Sequence, residues 1–206
     1  MFHLPGERIV VTLPTAPPSL TKGQIGVGSS SVYQFLFPSY CDIHKNFELL
    51  CQATALLEKE IGKGKFRVLL TITGTENKYT QWLYRKWGYV KSLDFAGFMS
   101  RDELYMAYEK TDCLVFPSKI ETWGLPISEF ARFGKPMLLA DLPYAHETAM
   151  GSRQTAFFNV QDAGELKELM KRLILNDTVF LTTVPKQKIP NPITGTWREL
   201  FDELLK

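Results

Sequence analysis

The sequence has no long apolar run, and this absence excludes several classes of protein. No stretch approaches the roughly 18–20 apolar residues that a helix needs to cross a bilayer, so we expect no membrane span. Close to the N-terminus stand the charged residues Glu7 and Arg8, with no apolar stretch around them, so we expect no signal peptide. These absences favour a cytoplasmic protein.

Cysteine and histidine are scarce as well. The three cysteines, Cys41, Cys51 and Cys113, are an odd number at irregular spacing, which provides neither a disulfide framework nor a zinc-binding pattern. This usage favours a reducing compartment. The three histidines lie too far apart in the sequence to indicate a metal site.

Neither sign of charge is in marked excess. The chain has 24 Lys and Arg against 22 Asp and Glu, a net charge of +2. Such a balance argues against nucleic acid as a partner, while a local basic site for one or two phosphates remains open. With 206 residues, 45% of them hydrophobic, the chain is long enough to bury one sizeable core.

Composition divides the chain into two parts. We assign residues 1–32 to a linker or N-terminal extension, with a short strand at 8–13 and a loop rich in Pro, Gly and Ser at 15–31. We assign residues 33–206 to one domain. A further loop is expected around Pro185, Pro190 and Pro192, before a last amphipathic helix that begins near Trp197.

Short apolar runs alternate with helical patterns in the predicted domain. We expect strands at 33–37, 66–73, 90–95, 113–116, 137–140 and, as an edge strand, 155–158. We expect helices at 47–61, 78–87, 101–110, 125–133, 163–174 and 197–205. This alternation is typical of an α/β fold with a parallel sheet covered on both faces, in which ligands bind outside the carboxyl ends of the strands.

One loop after a predicted strand has features of a ligand site. Gly124 allows close approach of the backbone, and Pro126 fits the first turn of a helix, whose free N–H groups can bind an anion. Glu121 and Glu129 bracket this turn, and an ionised carboxylate accepts hydrogen bonds from sugar hydroxyls. Taken singly, each Glu also fits a simpler role, Glu121 as a solvated loop residue and Glu129 as a local cap or pair.

The loop and its surroundings resemble a known family. The run P-S-K-I-E-T-W-G-L-P-I-S-E-F-A is similar to the E-x7-E motif of the retaining glycosyltransferases of family 4, also called group 1, which have the two-domain GT-B fold. Further similar segments are G-K-P-M at 134–137, A-D-L-P at 140–143, Glu147, F-A-G-F-M-S-R-D-E-L-Y at 95–105 and L-T-I-T-G at 70–74. The resemblance extends over roughly residues 33–173.

The resemblance implies how a nucleotide-diphosphate sugar is bound. It places the catalytic role and the hydroxyls of the transferred sugar at Glu121, and the ribose at Glu129. The remaining donor-binding positions are Lys45, Gly74, Phe98, Met99, Lys119, Trp123, Gly124 and Leu125. Among them, the backbone of 123–125 would meet the diphosphate or the sugar, and 98–99 the base.

The basic residues of this predicted site depart from the usual pattern. Many relatives carry an Arg several residues before the Lys that contacts the diphosphate, but no Arg stands near Ser39 or Tyr40. His44-Lys45-Asn46 resembles a variant of the motif that keeps only the Lys. Phosphate neutralisation would then depend on Lys45 and Lys119. The alternative for Lys45 is an ordinary surface lysine at a helix start.

The resemblance also implies what a longer enzyme would contain. The predicted domain is a three-layer Rossmann-like, nucleotide-sugar-binding half of a GT-B fold, and the N-terminal half is missing. We expect a hexosyltransferase of polysaccharide biosynthesis that acts on a glycan or lipid-linked acceptor, cytoplasmic or peripheral at the inner face of the membrane. We expect no cofactor and no metal, since no D-x-D motif occurs. This chain alone should be inactive. A non-catalytic nucleotide-sugar-binding or scaffold module and a GT-B epimerase remain alternatives.

Overall fold

The computed structural model describes residues 11–12, 32–186, 193–194 and 196–205. Contacts divide the chain into two compact units, Gln24–Pro185 and a smaller one of Met1–Gly23 with Lys186–Lys206. The predicted domain limits, 1–32 and 33–206, stay a prediction. The expected loop at 15–31, and Pro190 and Pro192 of the other expected loop, lie outside the described residues.

Strands and helices alternate along the larger unit. In chain order the strands are β1 (Val11–Thr12), β2 (Tyr33–Phe37), β3 (Phe66–Leu70), β4 (Leu93–Phe95), β5 (Cys113–Phe116), β6 (Met137–Ala140), β7 (Thr155–Phe158) and β8 (Ile193–Thr194). The helices are α1 (Phe47–Ile61), α2 (Lys78–Trp87), α3 (Arg101–Lys110), α4 (Leu125–Phe130), α5 (Pro143–Thr148), α6 (Ala163–Ile174) and α7 (Trp197–Leu204).

Strands β2 to β7 form a six-stranded sheet in the order β4-β3-β2-β5-β6-β7, and each neighbouring pair is parallel. The chain starts in the middle at β2, builds outward to β4, and then returns to the other side of β2 with β5. This is the strand order of the doubly wound nucleotide-binding folds, and its switch point lies between β2 and β5. The loops that follow these two strands therefore meet at the carboxyl edge of the sheet.

Both faces of the sheet are covered. Every residue of β5 and β6 is buried, and successive side chains of a strand point to opposite faces. Helix α1 packs with α2 and α6, while α3 packs on α4 and α4 on α5. The prediction of a three-layer, Rossmann-like α/β fold is confirmed.

The structure differs from the predicted elements in several places. Strand β4 begins at Leu93 and not at residue 90, and strand β8 was not expected. Strand β3 ends at Leu70, since the Thr71 hydroxyl instead bonds both the N–H and the C=O of Ser39. The helix expected at 125–133 is α4 followed by a 3-10 turn that ends at Gly134, where φ is 64°. Helix α5 was not expected; it starts at Pro143, a residue suited to a first helical turn.

The smaller unit contains a parallel pair of two-residue strands, β1 and β8, and helix α7. The hydroxyl of Thr196 caps α7 by accepting a hydrogen bond from the N–H of Glu199. Trp197 is 63% exposed, so this helix buries no large aromatic anchor. None of the helices described in either unit has the length and apolar character required to span a membrane.

Candidate functional site

Two loops meet at the switch point of the sheet. The loop after β2 joins the loop after β5 through the N–H of Lys119, which donates to the carbonyl of His44 at 2.7 Å. The buried side-chain amide of Asn46 donates to the carbonyls of Pro117 at 3.2 Å and Val160 at 2.9 Å. Asn46 has a left-handed backbone, with φ 60° and ψ 40°, a conformation that Asn tolerates better than most residues. It therefore fixes the residue before it, Lys45, against the β5 loop.

Lys45 and Glu121 form an ion pair in which Nζ lies 2.7 Å from Oε1. Their side chains keep only 17% and 12% of their exposure, so this pair is less screened by solvent than a surface pair. The two residues lie 76 positions apart in the sequence and come together because β2 and β5 are neighbours. The structure thus joins the cation expected at the phosphate to the carboxylate expected at the sugar.

The backbone of the β5 loop turns sharply before α4. Gly124 has φ 83°, in the left-handed region, and a Cβ built there would lie 3.2 Å from Cδ1 of Ile127. In the part of the chain that the structure describes, the N–H groups of Trp123, Gly124 and Leu125 have no hydrogen-bond acceptor. Helix α4 has six residues, so its dipole is small and these N–H groups are the main local donors.

Helix α5, which was not predicted from the sequence, holds the loop after β5 through two hydrogen bonds. The Tyr144 hydroxyl donates to the carbonyl of Ser118 at 2.6 Å. The Thr148 hydroxyl donates to the carbonyl of Trp123. Burial raises the pKa of Tyr144, and the nearby Glu121 charge adds to that rise, so the phenol remains a donor at neutral pH. The loop after β5 is therefore anchored at two carbonyls, one before Glu121 and one after it.

Glu129 has different partners from Glu121. The hydroxyl of Tyr105 donates to its Oε1 at 3.1 Å, and the hydroxyl of Tyr108 donates to its Oε2 at 3.2 Å. Burial is the main cause that raises the pKa of Tyr108, and the charge of Glu129 adds to it. We did not single out these tyrosines from the sequence, although their three-residue spacing places them on one face of α3.

The loop after β3 binds a carboxylate of the chain itself. Gly74, with φ 90°, donates its N–H to Glu76 at 3.0 Å, and the N–H of Thr75 donates to Glu76 at 3.1 Å. Burial by itself would raise the pKa of Glu76, but hydrogen bonds from this turn, including those of Thr73, lower it to about 2. A Cβ at Gly74 would lie 2.6 Å from that of Tyr84, so packing requires the glycine.

The other predicted residues lie along the same edge of the sheet. Phe98 and Met99 follow β4; Phe98 is 73% exposed, and Met99 packs on the core. Lys119 is exposed in the loop after β5, and Leu125 is exposed at the start of α4. The predicted positions therefore follow four neighbouring strands, β4, β3, β2 and β5, and contact is seen for Lys45 with Glu121. Their roles toward a ligand stay predictions.

Comparison with known protein families identifies similar sequences. The family model for glycosyl transferases group 1 matches residues 29–187. Two proteins of Escherichia coli, each described as serotype-specific mannosyltransferase WbdA, are 28% identical to this chain over 138 residues. That alignment covers 66% of this chain but only 17% and 16% of the two relatives, so the chain spans a small part of their length.

Solved structures show the same fold at low sequence identity. The C-terminal domain of a glycosyl transferase group 1 family protein (LpcC) from Francisella tularensis has a TM-score of 0.56 at 16% identity; 72% of this chain matches 80% of that one. Sucrose-phosphate synthase from Thermosynechococcus elongatus has a TM-score of 0.59 at 20% identity, with 74% and 38% covered. Anabaena HepE in complex with UDP-glucose has a TM-score of 0.59 at 18% identity, with 72% and 41% covered.

Proposed function

Since this chain belongs to the group 1 glycosyltransferases and has the fold of one half of a GT-B enzyme, we propose that it binds the nucleotide-diphosphate sugar of a retaining hexosyltransferase. The observation that carries the proposal is the Lys45–Glu121 ion pair at the switch point of the sheet. Ligands of open α/β sheets bind at that point, and the pair holds one cation and one acceptor there.

We propose that the donor exchanges the partners of this pair. The diphosphate binds the Lys45 ammonium, because it carries more negative charge than the Glu121 carboxylate. Glu121 is thereby released. The freed carboxylate then accepts hydrogen bonds from hydroxyls of the transferred sugar. As the bond between the anomeric carbon and the phosphate oxygen breaks, the acceptor hydroxyl oxygen bonds that carbon and its proton passes to the leaving phosphate. Lys45 and the N–H groups of 123–125 stabilise the charge on that phosphate. Glu121 is the catalytic residue of this proposal, which needs no metal or cofactor.

The identity of the transferred sugar is proposed from the names of the two similar proteins. Because the two curated relatives are mannosyltransferases, we propose a mannosyl donor and a glycan or lipid-linked acceptor in polysaccharide synthesis. The buried cysteines at 41, 51 and 113 are unpaired, which suits the reducing cytosol proposed as the site of this reaction.

We propose that a second half covers the site. The chain matches most of a solved C-terminal domain, but less than half of the sucrose-phosphate synthase and HepE chains. Large apolar side chains stay exposed in the loops at the carboxyl edge of the sheet: Tyr40, Ile43, Phe98 and Ile120 are 69% to 76% exposed. Exposed apolar patches of this kind mark surfaces that bind other groups. Without the cover, we expect no transferase activity.

A thermal-shift screen with nucleotide sugars tests the proposal, because a ligand that binds the folded state raises its apparent stability. We expect at least one nucleotide-diphosphate sugar to raise the unfolding temperature, and Glu129→Ala to remove the shift. Glu109→Ala, at an exposed carboxylate on α3, is the matched control that should keep it. Absence of any shift at millimolar ligand would favour a scaffold module. Robust sugar transfer by this chain alone would contradict the need for a second half.

A further inference from the structure

We propose that Tyr105 and Tyr108 are positioning residues that orient the Glu129 carboxylate toward the ribose diol of the nucleotide. This inference rests on the proposed function, in which Glu129 meets the ribose. It adds a device from a different helix, α3, that makes the nucleotide site selective for a ribose with both hydroxyls. Nothing in the E-x7-E pattern itself indicates these two tyrosines.

The geometry assigns one tyrosine to each carboxylate oxygen. Tyr105 donates to Oε1 at 3.1 Å and Tyr108 to Oε2 at 3.2 Å. One hydrogen bond to each oxygen prevents rotation of the carboxylate about the Cγ–Cδ bond. An ionised carboxylate has about four acceptor positions, so two remain for a ligand, one on each oxygen. Two vicinal hydroxyls that each donate once would fill them.

The two tyrosines differ in how firmly they are held. Tyr108 is fully buried, and its ring centroid lies 5.5 Å from that of Phe130 and 5.8 Å from that of Phe133. The end of α3 is also fixed, because the Lys135 ammonium donates to the carbonyl of Tyr108 at 3.2 Å and to others nearby. Tyr105 is half-buried, with the Arg101 guanidinium 5.7 Å from its ring centre. Tyr108 is thus a fixed anchor, and Tyr105 borders the open side.

Neutral hydroxyl partners suit a neutral ligand. The charge of Arg101 acts on Glu129, but the direct hydrogen-bond partners of the carboxylate are two neutral hydroxyls. A cation bonded directly to Glu129 would form an ion pair that sugar hydroxyls displace only at a cost. Tyrosine hydroxyls satisfy part of the carboxylate and leave its charge in place. A site with such fixed acceptors rejects a ligand that lacks a hydroxyl, because an acceptor then loses its partner.

The test compares ribose with deoxyribose nucleotides. Calorimetry on the whole chain measures the affinities of UDP, GDP and their 2′-deoxy forms for the wild type, Tyr105→Phe, Tyr108→Phe and the control Tyr89→Phe, which removes an exposed hydroxyl beyond α2. We expect the wild type and the control to prefer ribose about tenfold or more. In the two α3 variants the ratio of the affinity for the ribose form to that for the 2′-deoxy form should fall toward one. The affinity for the 2′-deoxy form should stay unchanged.

A merely structural role for the tyrosines gives a different result. Equal weakening of both nucleotide forms, with the ribose preference retained, would overturn the positioning role and leave the proposed function standing. Binding without any ribose preference in the wild type would do the same. Failure of the wild type to bind UDP or GDP would overturn both. If Tyr108→Phe does not fold, the half-buried Tyr105→Phe decides the outcome.

Discussion

The two carboxylates that bracket the turn between β5 and α4 are held in different ways. Glu121 pairs with a cation from the loop after β2, whereas Glu129 accepts hydrogen bonds from two neutral hydroxyls on α3. An ion pair is a partner that another anion can replace, while a pair of hydroxyl donors leaves acceptor capacity for a further ligand. Glu121 is therefore suited to exchange its partner when a phosphate binds, and Glu129 to keep its partners.

Among the changes that test this difference, removal of the Lys45 cation should have the largest effect. We expect Lys45→Ala to weaken the binding of a nucleotide diphosphate about 10- to 100-fold, since a charge-assisted contact is lost. Lys63→Ala, an exposed lysine between α1 and β3, removes the same charge at the opposite edge of the sheet and should leave the affinity unchanged. Calorimetry measures both. Equal affinities for Lys45→Ala and the wild type would show that the Lys45–Glu121 pair has no role in phosphate binding.

The next effect concerns the residue that holds Lys45 in place. We expect Asn46→Ala to lower the free energy of unfolding by about 2 to 3 kcal/mol, through two lost hydrogen bonds and a strained left-handed backbone. Asn46→Gly loses the same bonds without the strain, so it should be less destabilising than Asn46→Ala. Urea unfolding measures both changes. A glycine variant as unstable as the alanine variant would rule out backbone strain at this position.

The smallest effect concerns a third carboxylate, Glu76, whose partners are backbone N–H groups. Its pKa is about 2 in the folded chain, below the ordinary value of 4.5. The stability from this group is therefore present above about pH 4.5 and is lost as the pH falls toward 2. We expect Glu76→Gln to lower the unfolding temperature at pH 6 and to differ less from the wild type near pH 3. A pH-independent difference would contradict this origin.

Most of the larger unit follows from sequence pattern. Strands such as β5 and β6 are continuous apolar runs, and buried parallel strands require such runs. Helix α5 was not predicted, because six residues with a mixture of polar and apolar side chains are too few to show a helical hydrophobic periodicity. The end of β3 was not predicted either, since it depends on the contact of Thr71 with Ser39 in another loop.

For the candidate site, the sequence indicated some of the residues but none of their contacts. Lys45, Glu121 and Glu129 stand out by residue type and spacing. That Lys45 pairs with Glu121 depends on β2 lying next to β5, and alternation of elements does not give the strand order. The tyrosines at Glu129 and the amide of Asn46 are tertiary contacts of the same kind. Their residue types fit equally well with an ordinary helix face or loop.

The most direct test is a structure of this chain with a bound nucleotide-diphosphate sugar. We expect the Lys45 ammonium to bond a phosphate oxygen, its 2.7 Å contact with Glu121 to be lost, and Glu121 to face the sugar. Glu129 should retain both tyrosine hydroxyls. A nucleotide sugar bound elsewhere, with the Lys45–Glu121 pair intact, would contradict the proposed exchange of partners.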